Sequence, residues 1–225
     1  MKIAGLQKTT FLDYPDKVAC VIFTAGCNMR CPFCHNRELV FVDKISESAN
    51  KQISESDFFS FLEKRKDILE GVVITGGEPT LQPDLEDFCK KVKEKGFLVK
   101  LDTNGTNPDM VKRLMDKKLI DFVAMDMKND FENYQKTVGV RVDLVKIKKS
   151  IELIKNWGGD YEFRTTVVPT LHSKKNIENI LKIVPKDKLV LQRFRPNNCL
   201  DDAFIKLDPV EKEDIEAFDL GVKIR

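Results

Sequence analysis

Short apolar runs alternate along this chain with amphipathic stretches, and the two periods are distinct enough to predict elements. Residues 18–23, 71–75, 97–101, 121–127, 161–168 and 188–194 are rich in Val, Ile, Leu and Phe and are bounded by Gly, Pro or polar residues, as buried strands are. Between them, 54–69, 83–95, 107–117, 143–157 and 173–184 carry apolar residues at helical spacing. Phe58, Phe61, Leu62 and Leu69 share one face of the first. Ser54 and Asp57 mark its start, Asn107-Pro108 opens the third, Gly96 stops the second and Gly158-Gly159 the fourth.

Six strand–helix units, with a last helix weakly written after Pro196, predict an α/β fold: a partial (β/α)6 barrel of parallel strands with outer helices. A doubly wound sheet fits the same alternation. Helices on the outside leave polar strand residues to face the interior or an open end. No linker or repeat divides the chain, so residues 1–225 are expected to form one domain.

Charge adds little. Lys and Arg number 38 against 36 Asp and Glu, a formal charge of +2, which gives no global field for nucleic acid or an anionic membrane. Lys90-Lys91-Val92-Lys93 and Lys146-Ile147-Lys148-Lys149 lack interleaved aromatics and read as solvated helix faces. No apolar run reaches the ~20 residues of a membrane span, and the opening residues lack a secretory stretch. A cytoplasmic protein is expected, where thiols stay reduced and cysteines point to metal or redox chemistry before disulfides.

Three of the six cysteines lie in one loop after the first predicted strand. Cys27, Cys31 and Cys34 form a C-x3-C-x2-C pattern among polar residues, and three thiols so close can converge on one metal centre. Zinc held by Cys27, Cys31, Cys34 and His35 satisfies a tetrahedral count. A four-iron cluster held by three cysteines instead leaves one iron open to a substrate. Cys20 and Cys89 sit in apolar patterns and are expected to pack as small hydrophobes, while Cys199 stays unassigned.

Later strands end in polar groups that a buried parallel strand does not ordinarily carry. Gly76-Gly77-Glu78 offers either a turn or a close backbone approach to a ligand followed by a carboxylate. Asp102-Thr103-Asn104-Gly105 fits an Asx-type turn. Asp126 and Lys128 share a face by period-two alternation, as an ion pair or as ligand contacts. Arg164 shares a face with Glu162 and Thr166, and suits either a ligand carboxylate or a salt bridge to Glu162 or Asp126. In the last strand Leu189, Leu191, Arg193 and Arg195 alternate with Val190, Gln192 and Phe194, and the inward face is undecided.

With Phe33 directly before the third cysteine, the loop resembles that of the radical S-adenosylmethionine superfamily. The longer pattern, Thr10-Phe11-Leu12-Asp13-Tyr14-Pro15 and then Phe23 through Cys34-His35-Asn36, is similar to the activating enzymes of glycyl-radical enzymes, above all those of anaerobic ribonucleoside-triphosphate reductase and next those of pyruvate formate-lyase. The resemblance implies one 4Fe-4S cluster on Cys27, Cys31 and Cys34, and S-adenosylmethionine bound by Phe33, Gly76, Gly77, Glu78, Asp102, Thr103, Asn104, Asp126, Lys128 and Arg164. In formate-lyase activase relatives it also implies a monovalent cation near Asp102 and Thr103. Reductive cleavage of the cofactor would give a 5′-deoxyadenosyl radical that takes hydrogen from a glycine of a partner enzyme, with flavodoxin or ferredoxin as electron donor. A radical enzyme acting on a small molecule, such as a deazapurine precursor synthase, shares the same cofactor residues.

Overall fold

Alternation in the sequence becomes, in the computed structural model, an open sheet of eight strands in chain order; residues 1–41 and 53–225 are described. β1 (Ile3–Thr10) runs antiparallel to β2 (Ala19–Thr24). β3 (Gly71–Gly76), β4 (Leu98–Thr103), β5 (Phe122–Asp126), β6 (Asp160–Val167), β7 (Leu189–Arg193) and β8 (Lys223–Ile224) follow, each parallel to the one before.

The six predicted strands are β2 to β7. Two more flank them. β1 escapes the alternation because it is half exposed, with irregular pairing between Ile3 and Gly5 and between Gln7 and Thr10. β8 is two residues long and takes its partner from the fold.

Helices Glu55–Glu63, Leu85–Glu94, Pro108–Asp116, Leu144–Lys155 and Lys174–Leu181 make the crossovers. Their starts are fixed locally. The side chains of Ser54, Asn107, Asp143 and Ser173 accept hydrogen bonds from the free first-turn amides of Asp57, Met110, Val145 and Asn176. The basic runs lie at helix surfaces, where Lys91 pairs with Glu55, Lys93 with Asp121 and Lys149 with Asp109. Shorter helices at Asp202–Ile205 and Lys212–Glu216 stand where the last helix was weakly written.

Each strand has two faces with different fates. Cys20, Ile22, Val72, Ile74, Val99, Leu101, Val123, Met125, Phe163, Leu189 and Leu191 belong to one core with helical residues such as Phe58, Phe88, Cys89, Leu114 and Ile151. Cys20 and Cys89 are fully buried there, as expected of packing thiols. The opposite face gathers Tyr14, Ala19, Val21 and Val73, with Phe23, Leu98 and Phe122 against them.

Curvature follows from this second face. Strands sit ~4.8 Å apart, so β2 and β7 in a flat sheet would lie roughly 24 Å from each other. Phe23 and Gln192 nonetheless line the same cavity of about 410 Å³, so the sheet curls around it. Tyr14 packs edge-on against Phe122, ring centroids 6.0 Å apart, among the apolar residues of this inner face. Among the described residues no helix is long and apolar enough to cross a membrane.

Candidate cofactor site

The cysteine loop hangs from the end of β2 and is tied down by its backbone. The amides of Gly26 and Cys27 donate to Leu39 O and Val40 O at 2.7 and 3.3 Å, and that of Arg30 donates to Val138 O at 2.9 Å. The Arg30 guanidinium folds back onto Cys27 O and Met29 O, at 2.6 and 2.8 Å, and lies over the Phe41 ring. Its charge therefore braces the loop.

Cys27, Cys31 and Cys34 all line the cavity, together with Phe33 and Met29. Burial pushes the Cys27 thiol up to about 11 and Cys31 to about 12, against the opposing pull of Lys128 on both. Buried thiols so placed stay protonated until a cation replaces the protons, as metal ligation does. A tetrahedral zinc set would need the His35 ring turned toward these thiols. The His35 ring instead faces Arg195 O at 2.5 Å.

The glycine pair packs against the chain as well as bordering the cavity. Gly76 and Gly77 border the cavity, but the close approach they permit is to the chain itself. A Cβ on Gly76, whose φ is +117°, would strike Thr24 backbone, and one on Gly77 would strike the Gly26 carbonyl. The amides of Gly77 and Glu78 donate to Thr24 O and Gly26 O at 2.9 and 2.8 Å. β3's end is thereby locked to the cysteine loop.

Glu78 is buried, and desolvation raises its carboxyl above the usual range even though four donors face it. Oε1 accepts from the Thr80 amide and hydroxyl and from Thr103 Oγ1, while Oε2 accepts, among the described residues, from the Asn104 amide alone, at 2.7 Å. Oε2 thus has capacity for a further donor. The Asn104 side chain makes an Asx-type turn with Thr106 and donates to Asn28 Oδ1 at 2.9 Å, joining the β4 loop to the cysteine loop.

Across the cavity, β4, β5 and β6 carry a row of alternating charges. Lys100 pairs with Asp102 Oδ1; Arg164 Nη1 reaches Asp102 Oδ2 at 3.0 Å; Arg164 Nε reaches Asp126 Oδ1 at 2.9 Å; and Lys128 reaches Asp126 Oδ2 at 2.9 Å. Desolvation opposes ionisation of both carboxylates, but Arg164 with Lys128 at Asp126, and Arg164 with Lys100 at Asp102, hold them below the usual carboxylate range. Asp126 also holds Lys128 above the usual ammonium range.

Arg164 therefore bridges Asp126 and Asp102, not its strand neighbour Glu162. Glu162 pairs with Arg225, whose guanidinium nitrogens lie 3.3 and 3.4 Å away. Three cations against two carboxylates leave this row one positive charge in excess, facing a cavity, which favours an anionic group such as a carboxylate.

The structure resolves what the last strand's alternation left open. Gln192 lines the cavity beside Thr166, its register partner, whereas Leu189 and Leu191 pack outward. The sequence reading placed both polar residues on strand faces without naming them as site candidates, and the alternation of Gln192 against Leu191 was the available signal. His172 was also missed. Its Nδ1 accepts from the Val168 amide at 3.1 Å, so Nε2 carries the proton donated to Lys128 O at 2.8 Å, fixing the end of β5. Cys199 is buried, and its neighbours grip the cysteine loop: Asn198 donates to His35 O and the Asp201 amide to Pro32 O.

The sequence profile of the radical SAM superfamily matches residues 21–184, which span the cavity walls apart from β1, Asp13 and β7. The chain belongs to that superfamily. Radical SAM proteins work with a 4Fe-4S cluster and S-adenosylmethionine, and the donor set suits both: soft thiols for iron, a buried carboxylate with a spare oxygen, and a positive row for a carboxylate.

Its relatives include a protein of Methanocaldococcus jannaschii whose name, provisional in its case, is glycyl-radical enzyme activating enzyme; it is 39% identical over 97% of this chain and 90% of its own length. The pyruvate formate-lyase-activating enzyme of Clostridium pasteurianum is 28% identical over 81% of this chain and 76% of its own. Streptococcus suis SuiB bound to S-adenosylmethionine has the same fold over 91% of this chain, with a TM-score of 0.63 and 18% identity; the chain spans about half (49%) of that protein.

Proposed function

We propose that this chain is a glycyl-radical enzyme activating enzyme, acting as a single domain over residues 1–225 in the cytoplasm, with anaerobic ribonucleoside-triphosphate reductase as its partner. The near full-length likeness to the M. jannaschii activating enzyme carries this reading, because it extends well past the cofactor motifs. In it, Cys27, Cys31 and Cys34 hold the cluster, with Phe33 packed beside them. Glu78 Oε2 takes the ammonium of S-adenosylmethionine, next to Gly76 and Gly77. Arg164 and Lys128 receive its carboxylate, Asp126 the ribose region, and Asp102, Thr103 and Asn104 border the bound molecule.

Held by Cys27, Cys31 and Cys34, a cluster reduced by flavodoxin or ferredoxin would supply, with S-adenosylmethionine, the one-electron chemistry for hydrogen removal from a backbone glycine of the partner. The chain's own residues orient and seclude. Phe23, Val21 and Val73 line the cavity's apolar side and keep water from it. Arg164 must exchange part of its pairing with Asp102 and Asp126 for the ligand carboxylate, which sets a cost on binding and a geometry for it.

Anaerobic reconstitution with iron and sulfide is expected to give a brown protein that cleaves S-adenosylmethionine under reduction, and Cys31→Ala to lose both properties. Retention of either by that variant would remove the ligand assignment. Incubation with anaerobic ribonucleoside-triphosphate reductase should produce a glycyl-radical doublet in electron paramagnetic resonance. Cofactor cleavage without a doublet on any glycyl-radical enzyme would point instead to a small-molecule substrate.

A further inference from the structure

Lys100 is the one member of the charged row with no solvent exposure at all, on the inward face of β4 between Val73 of β3 and Phe122 of β5. A buried ammonium is costly unless a counter-charge holds it. Asp102 Oδ1 does so, and the ammonium also lies 5.7 Å from the centre of the Phe122 ring. Asp102 thereby faces a side-chain cation on each oxygen, Lys100 on one and Arg164 on the other. The Thr103 hydroxyl is engaged too, donating to Glu78 and accepting from the Gly105 amide.

These two cations differ in what ligand binding asks of them. Arg164 is shared between Asp102 and Asp126 and borders the cavity, so a carboxylate ligand draws on it. Lys100 does not border the cavity and, among the described residues, pairs with Asp102 alone. As Arg164 turns toward a ligand, Asp102 keeps a full positive charge beside it.

We infer that the Lys100 ammonium is a built-in counter-cation for Asp102, supplying from behind the cavity wall the charge that a monovalent metal ion would otherwise supply to that carboxylate. Lys100 is a positioning residue: it touches Asp102 and not the reacting atoms. The inference rests on cofactor binding in this cavity, and it makes binding of S-adenosylmethionine indifferent to the alkali cation in solution.

Binding of S-adenosylmethionine to the anaerobically reconstituted protein, by equilibrium dialysis at constant ionic strength in potassium, sodium or choline chloride, tests this without turnover. The wild-type Kd is expected to stay within about twofold across the three salts. In Lys100→Met, which keeps the volume and removes the charge, the Kd in choline is expected to weaken by about tenfold, equivalent to about 1.4 kcal/mol, and to recover on adding potassium or sodium. A wild-type Kd that weakens tenfold in choline would overturn the inference, and that arm needs no variant to fold. Equal weakening of Lys100→Met in all three salts would overturn it as well, since a merely structural lysine gives that pattern. No binding by the wild type in any salt would instead bring down the cofactor reading, and this inference with it.

Discussion

The wall built by β2, β3 and the cysteine loop is held by backbone hydrogen bonds and glycine contacts, whereas the wall built by β4, β5 and β6 is held by ion pairs. The first wall has protonated thiols and a carboxyl that burial pushes toward its neutral form. The second pairs each carboxylate with two cations and keeps one positive charge in excess. A group entering the first supplies the positive charge its ligands lack; a group entering the second must break existing pairs. Fit in one is a matter of space, and in the other of charge exchange.

Space is the harsher constraint. Gly77→Ala would drive a methyl into the Gly26 carbonyl and is expected to cost more than about 4 kcal/mol, with loss of iron loading. Gly158→Ala meets nothing within 4 Å and serves as the neutral control in the same denaturant titration. A stable, iron-loaded Gly77→Ala protein would show that the first wall yields.

On the charged wall, Arg164→Met strips one cation from Asp102 and one from Asp126, and is expected to destabilise the iron-free protein by about 3–5 kcal/mol. Urea unfolding measures this. A loss under about 1 kcal/mol would mean that the row is only loosely coupled.

Acid and base should act on the two walls in opposite senses. Asp102 and Asp126 ionise more readily folded than unfolded, so their stabilisation is present above the ordinary carboxylate range and disappears as pH falls through their lowered values. Glu78 holds its proton more tightly when folded, so its contribution is present at low pH and is lost as pH rises through its raised value. Melting temperatures of the iron-free protein from about pH 4 to 8 are expected to decline less steeply with rising pH in Glu78→Gln than in the wild type. An identical slope in both would remove the contrast.

The smallest effect belongs to thiols outside the cavity. Cys20→Ala is expected to cost about 1 kcal/mol and to leave iron content unchanged, because Cys20 sits in the outer core. Iron lost in that variant would blur the line between packing and ligating cysteines.

What the sequence made legible follows the same division. Period-two alternation located Asp126, Lys128 and Arg164 on inward faces, and loop spacing located the three thiols, because both signals are local. Partners were less legible. Arg164 passes over Glu162, two residues away on its own strand, to reach Asp102 on β4, which depends on the curl of the sheet and on Arg225 claiming Glu162. The packing partner of Gly77 was illegible for a related reason: the backbone it approaches comes from a loop some fifty positions earlier. Gln192 was ambiguous because Val190, beside it on the inward face, is as apolar as the outward Leu189 and Leu191.

Residues 195–202 clasp the cysteine loop through Arg195 to His35, Asn198 to His35, Asp201 to Pro32 and Asp202 to Arg37. Such a buckle spans 160 positions of chain. The position of three thiols near the start of the chain thus depends on a stretch near its end that donates no sulfur, and a proteolytic nick there is expected to loosen the loop without removing a ligand.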